Sequence, residues 1–251
     1  MVLRLLPSLA VLALLLVPIT GGAPLLAQAK PKPSPAAQAR PSPVDWTKTV
    51  SVTPNGAFLV GNPAAKTKLV EYMSYSCSHC ADFGGEGTAQ LKAGWIKRGL
   101  VSIEYRNFIR DGFDLSAALL ARCGGPSRFL ATHDLIFGSF DTWMQQAQKY
   151  AQANAQAAEN VDRAAQFIDI ADGVGLTTLV AKTGITKDAA HKCLADPAPR
   201  ATILALTSGA WDVAPDFEGT PTFILNGKVL KGVHSWQALK PLLPALPAST
   251  N

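Results

Sequence analysis

Cysteine is scarce in this chain, four residues in 251, and the single pair Cys77-Ser78-His79-Cys80 has no second Cys-x-x-Cys or His-x-x-x-His to accompany it. A zinc site built from two such motifs is therefore missing one half. Among the remaining candidates, Cys123, Cys193, His133 and His191, only His191-Lys192-Cys193 forms a tight group. No cysteine follows the apolar N-terminal run, which excludes a lipid-modified N-terminal cysteine. Excess positive charge is missing too, once the tail is set aside. The formal net charge is +5, but Arg4, Lys30, Lys32 and Arg40 precede Pro41, and from there 19 Lys+Arg face 18 Asp+Glu. Binding to nucleic acid needs positive charge clustered on the domain itself, so that class is excluded. No repeat of solenoid period is present.

The N-terminus lacks the length of a membrane span. Arg4 supplies a short basic region and Leu5 to Ile19 is almost wholly apolar. That run falls short of the roughly 20 residues that cross a bilayer, and Pro7 and Pro18 interrupt it. Ala27-Gln28-Ala29 fits the small-x-small cleavage rule, so residues 1–29 read as a signal peptide, with a retained anchor as the alternative. Export implies an oxidising compartment, the periplasm, where a Cys-x-x-Cys is more readily redox-active than metal-bound. Residues 30–44 are rich in Pro, Ala and Lys and have little to bury, which predicts a flexible, extended linker. About 205 residues remain, enough for one domain with a substantial core.

What is present is concentrated at Cys77-Ser78-His79-Cys80. It follows a short apolar run, Lys68 to Ser74, and opens a helical stretch. A sulfur at that junction lies over unpaired N–H groups and the positive end of a helix, both of which stabilise a thiolate. His79 can add charge or a hydrogen bond. The spacing lets Cys80 attack a mixed disulfide formed on Cys77. The pair therefore points to thiol–disulfide exchange, against the alternatives of half a metal site or a static bridge.

Around it the pattern predicts strands at Ala57–Val60, Lys68–Ser74 and Val101–Phe108, the last alternating at period two. A helix is expected from Cys77 to about Arg98, with Gly84, Gly85 and Gly87 as weak points. Helical segments follow from Asp114 to about Ala210: Ser116–Arg122, Phe129–Gly138, Thr142–Lys149, Tyr150–Ala158, Val161–Ile170, Leu176–Thr183 and Lys187–Asp196. Pro197 and Pro199 are expected to stop the last of these. His133, on one of these helices beside apolar residues, is expected to be structural. Gly219–Leu225 and Lys228–Leu230 form a hairpin around Asn226-Gly227, and Ser235 to Leu246 is a closing helix.

This order, with CSHC at the first strand-to-helix turn and GTPTF opening the late hairpin, resembles the thioredoxin fold in its DsbA-like form over residues 45 to 247. The resemblance implies an α/β fold with an inserted helical domain: first half 45–113, insertion 114–210, second half 211–247. It implies a cis bond at Thr220–Pro221 beside the sulfurs, where an extended substrate can pair with free backbone. It also implies Cys77 as exposed nucleophile, Cys80 as buried resolving thiol, and Ser78 and His79 as the tuning dipeptide. Glu71 matches a buried acid of the family that shares protons with Cys80, although a solvent-facing strand residue remains the other reading. Ser78 and Thr220 depart from the Pro and Val often found in the most oxidising members, which puts the potential in question. In an exported protein Cys123 and Cys193 are expected to form a structural disulfide.

The implied activity needs no cofactor and no metal. It introduces disulfides into unfolded exported proteins with free thiols, and a quinone-linked membrane oxidant of the DsbB type restores the pair. The protein is expected to be a monomer. The rivals are a reductase or isomerase with the pair kept reduced, and a non-catalytic metal-binding or structural domain.

Overall fold

The computed structural model of the chain describes residues 44–155 and 162–247. The expected signal peptide, all of the linker except Val44, and the helical expectations over 156–161 lie outside the described residues.

Six strands form one sheet: β1 Val50–Val52, β2 Phe58–Gly61, β3 Thr67–Met73, β4 Val101–Asn107, β5 Thr222–Leu225 and β6 Lys228–Val229. Their spatial order is β1-β2-β4-β3-β5-β6. β3 and β4 run parallel, and every other neighbouring pair is antiparallel. β3 is thus central, and a strand covered on both faces should be apolar throughout. Leu69, Tyr72 and Met73 obey that rule, whereas Glu71 is buried with them. β1 is an unanticipated edge strand, too short to show periodicity. Asn226 and Gly227 have φ of 49° and 82°, the positive pair that a two-residue hairpin turn needs. Asn226 also exchanges two hydrogen bonds of 2.8 Å with the backbone of Lys68, tying the hairpin to β3.

The helix after β3 is segmented where one continuous helix was expected. α1 Ser78–Asp82 runs into a π-helical stretch, Phe83–Gly87, then α2 Thr88–Leu91 and a second π-helical stretch, Lys92–Ile96. Three glycines weaken the ordinary helix here. At Gly87 a Cβ would stand 2.7 Å from the ring of Phe83 and 3.1 Å from Cβ of Trp236, so the packed aromatic ring takes the place of a side chain.

Between β4 and β5 run α3 Gly112–Arg122, α4 Pro126–Gly138, α5 Phe140–Ala153, α6 Arg163–Gly173, α7 Leu176–Ala181, α8 Lys187–Ala195, α9 Pro197–Ser208 and α10 Ala210–Val213. α3 starts earlier than expected because the Asp111 carboxylate accepts the Asp114 N–H at 2.7 Å. The two segments expected at 142–149 and 150–158 are one helix, α5, up to Ala153. α8 stops at Ala195, ahead of Pro197 as expected, and Pro197 then opens α9, where its missing N–H costs nothing, after Asp196 caps the Ala198 N–H. Cys193 accordingly sits in α8, two helices before the end of the block. The closing helix is shorter than expected, α11 Trp236–Leu239 followed by a 3-10 turn at Lys240–Leu242, since Pro241 and Pro244 withhold backbone donors.

Two large apolar clusters hold these parts together. One lies against the sheet and includes Phe58, Leu69, Phe83, Trp95, Ile103 and Trp236. The other fills the helical block with Leu119, Ile136, Phe137, Val180 and Leu194, and it takes in Met73, Tyr75, Cys77 and Cys80. The C-terminal end of β3 therefore delivers both sulfurs to the seam between sheet and helices.

Candidate redox site

Cys77 is the cap residue of α1, in extended conformation, and Cys80 lies one turn further on. The two sulfurs are not bonded to each other. Cys77 was expected to be exposed, yet only 4% of its surface is, against none for Cys80. The difference between the sulfurs is one of surroundings: Cys77 opens on a cleft, and Cys80 is enclosed. Ser78 and His79 stand exposed between them.

The two thiols are driven apart electrostatically. The pKa of Cys77 is lowered to about 4, first by a hydrogen bond from the Cys80 thiol. Desolvation opposes the shift, while a side-chain hydrogen bond from Thr220 and the N–H groups of Cys80 and His79 reinforce it. Those first-turn N–H groups act without a formal side-chain cap bond. The Sγ of Cys77 also lies 3.2 Å from the carbonyl oxygen of Thr220, a contact in which the protonated thiol donates. Cys80 moves the other way, pushed well up by burial, by the hydrogen bond it gives to Cys77, and by the charges of Cys77 and Glu71. The pair therefore consists of one stable thiolate and one thiol that holds its proton.

Glu71 settles between its two sequence readings in favour of burial: 2% of it is exposed. In the sheet it stands opposite Tyr105 on one side and Phe223 on the other. Its pKa is raised to about 8, mainly by desolvation and then by the Cys77 charge. Its Oε2 has no hydrogen-bond partner among the described residues. The Thr220–Pro221 bond is cis, and Thr220 meets Cys77 across the cleft.

A buried polar tie beneath the motif escaped the sequence reading. Asp114 is fully buried and accepts from Ser74 Oγ at 2.6 Å, from the Tyr75 N–H at 2.8 Å and from the Arg110 N–H at 3.1 Å. Burial raises its pKa to about 7 despite those bonds. Ser76 Oγ donates to Asp111 at 2.8 Å. One carboxylate pair thus fixes the loop leading into Cys77 against the loop leading into α3. The only sequence signal was Asp-x-x-Asp at a helix start, which reads as capping alone. His133 is buried with its Nδ1 3.0 Å from the Tyr75 hydroxyl, and desolvation lowers its pKa to about 4. It is a neutral packing partner of Tyr105, Phe129 and Phe137. Cys123, at the end of α3, is joined to Cys193 in α8 by a disulfide. His191 pairs with Asp172 and is not drawn toward either cysteine pair. Among the described residues no three His, Cys, Asp or Glu side chains converge as metal ligands.

The cleft over Cys77 has a volume of about 320 Å³ and is bounded by Ser78, His79, Phe108, Arg110 and the Gly219-Thr220 backbone. It is a shallow, partly apolar trough beside a thiolate, suited to an extended peptide carrying a sulfur.

Comparison with known proteins agrees with this geometry. The family model described as Thioredoxin matches residues 53–245. A protein of Rickettsia bellii, provisionally named protein-disulfide oxidoreductase, is 30% identical over 77% of this chain and 67% of its own length. A similarly named protein of Rickettsia conorii is 29% identical over 77% of this chain and 62% of its own. The chain thus spans about two thirds of the length of these relatives. Among solved structures, a protein-disulfide isomerase from Novosphingobium aromaticivorans superposes with a TM-score of 0.68 at 35% identity, covering 73% of this chain and 93% of the other. The Wolbachia pipientis alpha-DsbA1 structure gives 0.59 at 22% identity over 76% and 89%, a likeness of fold.

Proposed function

The chain belongs to the thioredoxin family, as a DsbA-like protein-disulfide oxidoreductase, and from that premise we propose that it works as an oxidase of exported proteins, with Cys77–Cys80 as its exchanging pair. What supports the direction is the setting of Cys77, at the first-turn N–H groups of α1 and facing Thr220, which favours its thiolate and lowers its pKa to about 4. Stabilising one thiolate stabilises the dithiol state, so the disulfide state gives up its bond readily.

The exchange balances in two steps. A substrate thiolate attacks the Sγ of Cys77, the Cys77–Cys80 bond breaks, and Cys80 departs with the electron pair and takes up a proton. A second substrate thiolate then attacks the substrate sulfur of the mixed disulfide and releases Cys77 as a thiolate. The substrate loses two electrons and the enzyme gains them. Glu71 exchanges the proton of Cys80 through the enclosed end of the site, a task suited to a carboxyl group titrating at about 8. Thr220 and Pro221 hold the substrate backbone in register, and His79 and Ser78 border its path.

The compartment is the periplasm, on the strength of the N-terminal apolar run and cleavage pattern together with the Cys123–Cys193 disulfide, a bond that is rare in reducing compartments. The oxidant is a quinone-linked membrane protein of the DsbB type, and the enzyme is a monomer. The likeness to the Novosphingobium protein-disulfide isomerase favours one second reading, shuffling with the pair kept reduced. A Cys80→Ser variant tests the exchange itself: it should accumulate mixed disulfides with thiol proteins, and the Cys77→Ser variant should accumulate none. Absence of trapped partners in both would remove the proposed function.

A further inference from the structure

Among the described residues Arg110 is the one permanently charged side chain on the wall of the cleft, and no carboxylate borders it. The residue is exposed in the loop between β4 and α3. Its backbone is fixed by Asp114. Its Nη1 donates at 3.3 Å to the carbonyl of Ser76, the residue directly before the reacting cysteine. The guanidinium therefore hangs within one residue's reach of Cys77.

It makes no ion pair among the described residues. The nearest acids in sequence are already committed. Asp111 accepts from Ser76 and from the Asp114 N–H, and Asp114 is fully enclosed with three donors of its own. A guanidinium carries five N–H donors and no acceptor, and among the described residues this one, at the border of the cleft, gives a side-chain hydrogen bond only to Ser76. Its planar fork matches a carboxylate in two-point contact. Beside it Phe108, stacked on Phe217 at 4.3 Å, gives the trough an apolar floor.

We propose that Arg110 is a specificity-determining residue that selects substrate strands carrying a carboxylate within about two residues of their reactive cysteine. This rests on the thiol-exchange reading above and deepens it. A strand rises about 3.3 Å per residue, so one or two residues of extended substrate bring an acidic side chain from Cys77 to the guanidinium. The fork binds that carboxylate while the neighbouring substrate thiolate meets the Cys77–Cys80 disulfide.

The test compares oxidation of dithiol peptides by the disulfide form of the whole protein. One peptide carries Glu beside a cysteine with both termini blocked, a second carries Gln there, and a third carries Gln but ends in a free carboxylate next to the cysteine. The expected result is a kcat/KM about five- to tenfold higher for Glu than for Gln, carried mainly by KM and shrinking at high ionic strength. Arg110→Gln should bring the ratio to about one, and Arg110→Lys should restore part of it, since charge returns without the fork. A purely structural role for Arg110 would lower both rates and leave their ratio intact, so that outcome overturns the proposal, as does a wild-type ratio of one. Preference for the third peptide alone would assign the site to chain termini and overturn the side-chain form. If the wild type oxidised none of the peptides, the proposed function itself would fall, a result separate from loss of selectivity.

Discussion

A single sulfur governs the chemistry, and its titration has a definite sign. Cys77 is lowered to about 4 in the folded dithiol form, against about 8.5 for an unfolded thiol. Its contribution to the stability of the reduced protein is full above the unfolded value, declines as pH falls, and is gone below about 4. Alkylation of reduced protein by iodoacetamide should therefore show a half-maximal rate near pH 4, and the stability gap between reduced and oxidised forms should widen as pH rises from 4 toward 8.5. Glu71 has the opposite sign. Its pKa is raised, mainly by desolvation, so its contribution is full below the unfolded carboxyl value and lost as pH rises through the folded one. The direction persists in the oxidised protein, where the Cys77 charge is absent. Glu71→Gln should flatten the loss of stability between about pH 4.5 and 8 in urea titrations. On the proposed role of Glu71 in exchanging the Cys80 proton, it should also slow disulfide exchange roughly tenfold to a hundredfold.

At the scale of elements, the π-helical stretch after α1 is held open by Phe83, whose ring occupies the space that a Gly87 side chain would need. Gly87→Ala should lower stability by about 1–3 kcal/mol through overpacking, read as a lower urea midpoint. The same segment shows where the sequence was and was not legible. The glycines marked a weak helix, but the aromatic contacts that convert weakness into a π-helical path join residues 83, 223 and 236 and have no local signature. β3, β4 and the hairpin at Asn226-Gly227 were legible because alternation and turn chemistry are local. β1 was too short to read. Pro197 was legible as the stop of α8 but not as the start of α9, because proline ends one helix and opens another with equal ease. The Cys-x-x-Cys was legible from spacing alone. Asp114 and Arg110 were not, since their partners lie in a loop 34 to 40 positions away in the chain.

Across the whole molecule, the helical block and the sheet meet at the sulfurs, and the Cys123–Cys193 bond ties α3 to α8 behind that seam. It closes a loop of 70 residues. On the chain-entropy account such a closure stabilises the fold by about 4 kcal/mol. Replacing both cysteines by serine should reduce unfolding free energy by about that amount in denaturant titration. No described helix is long and apolar enough to cross a membrane.

Everything rests on how strongly the folded protein favours the Cys77 thiolate, and the equilibrium potential of the Cys77–Cys80 pair against glutathione, with Cys123–Cys193 left intact, measures that directly. The expected value is near or above about −150 mV, at which transfer of the disulfide to substrate thiols runs downhill. A value below about −220 mV would contradict the oxidase assignment and place the pair on the reducing side, in need of an electron donor.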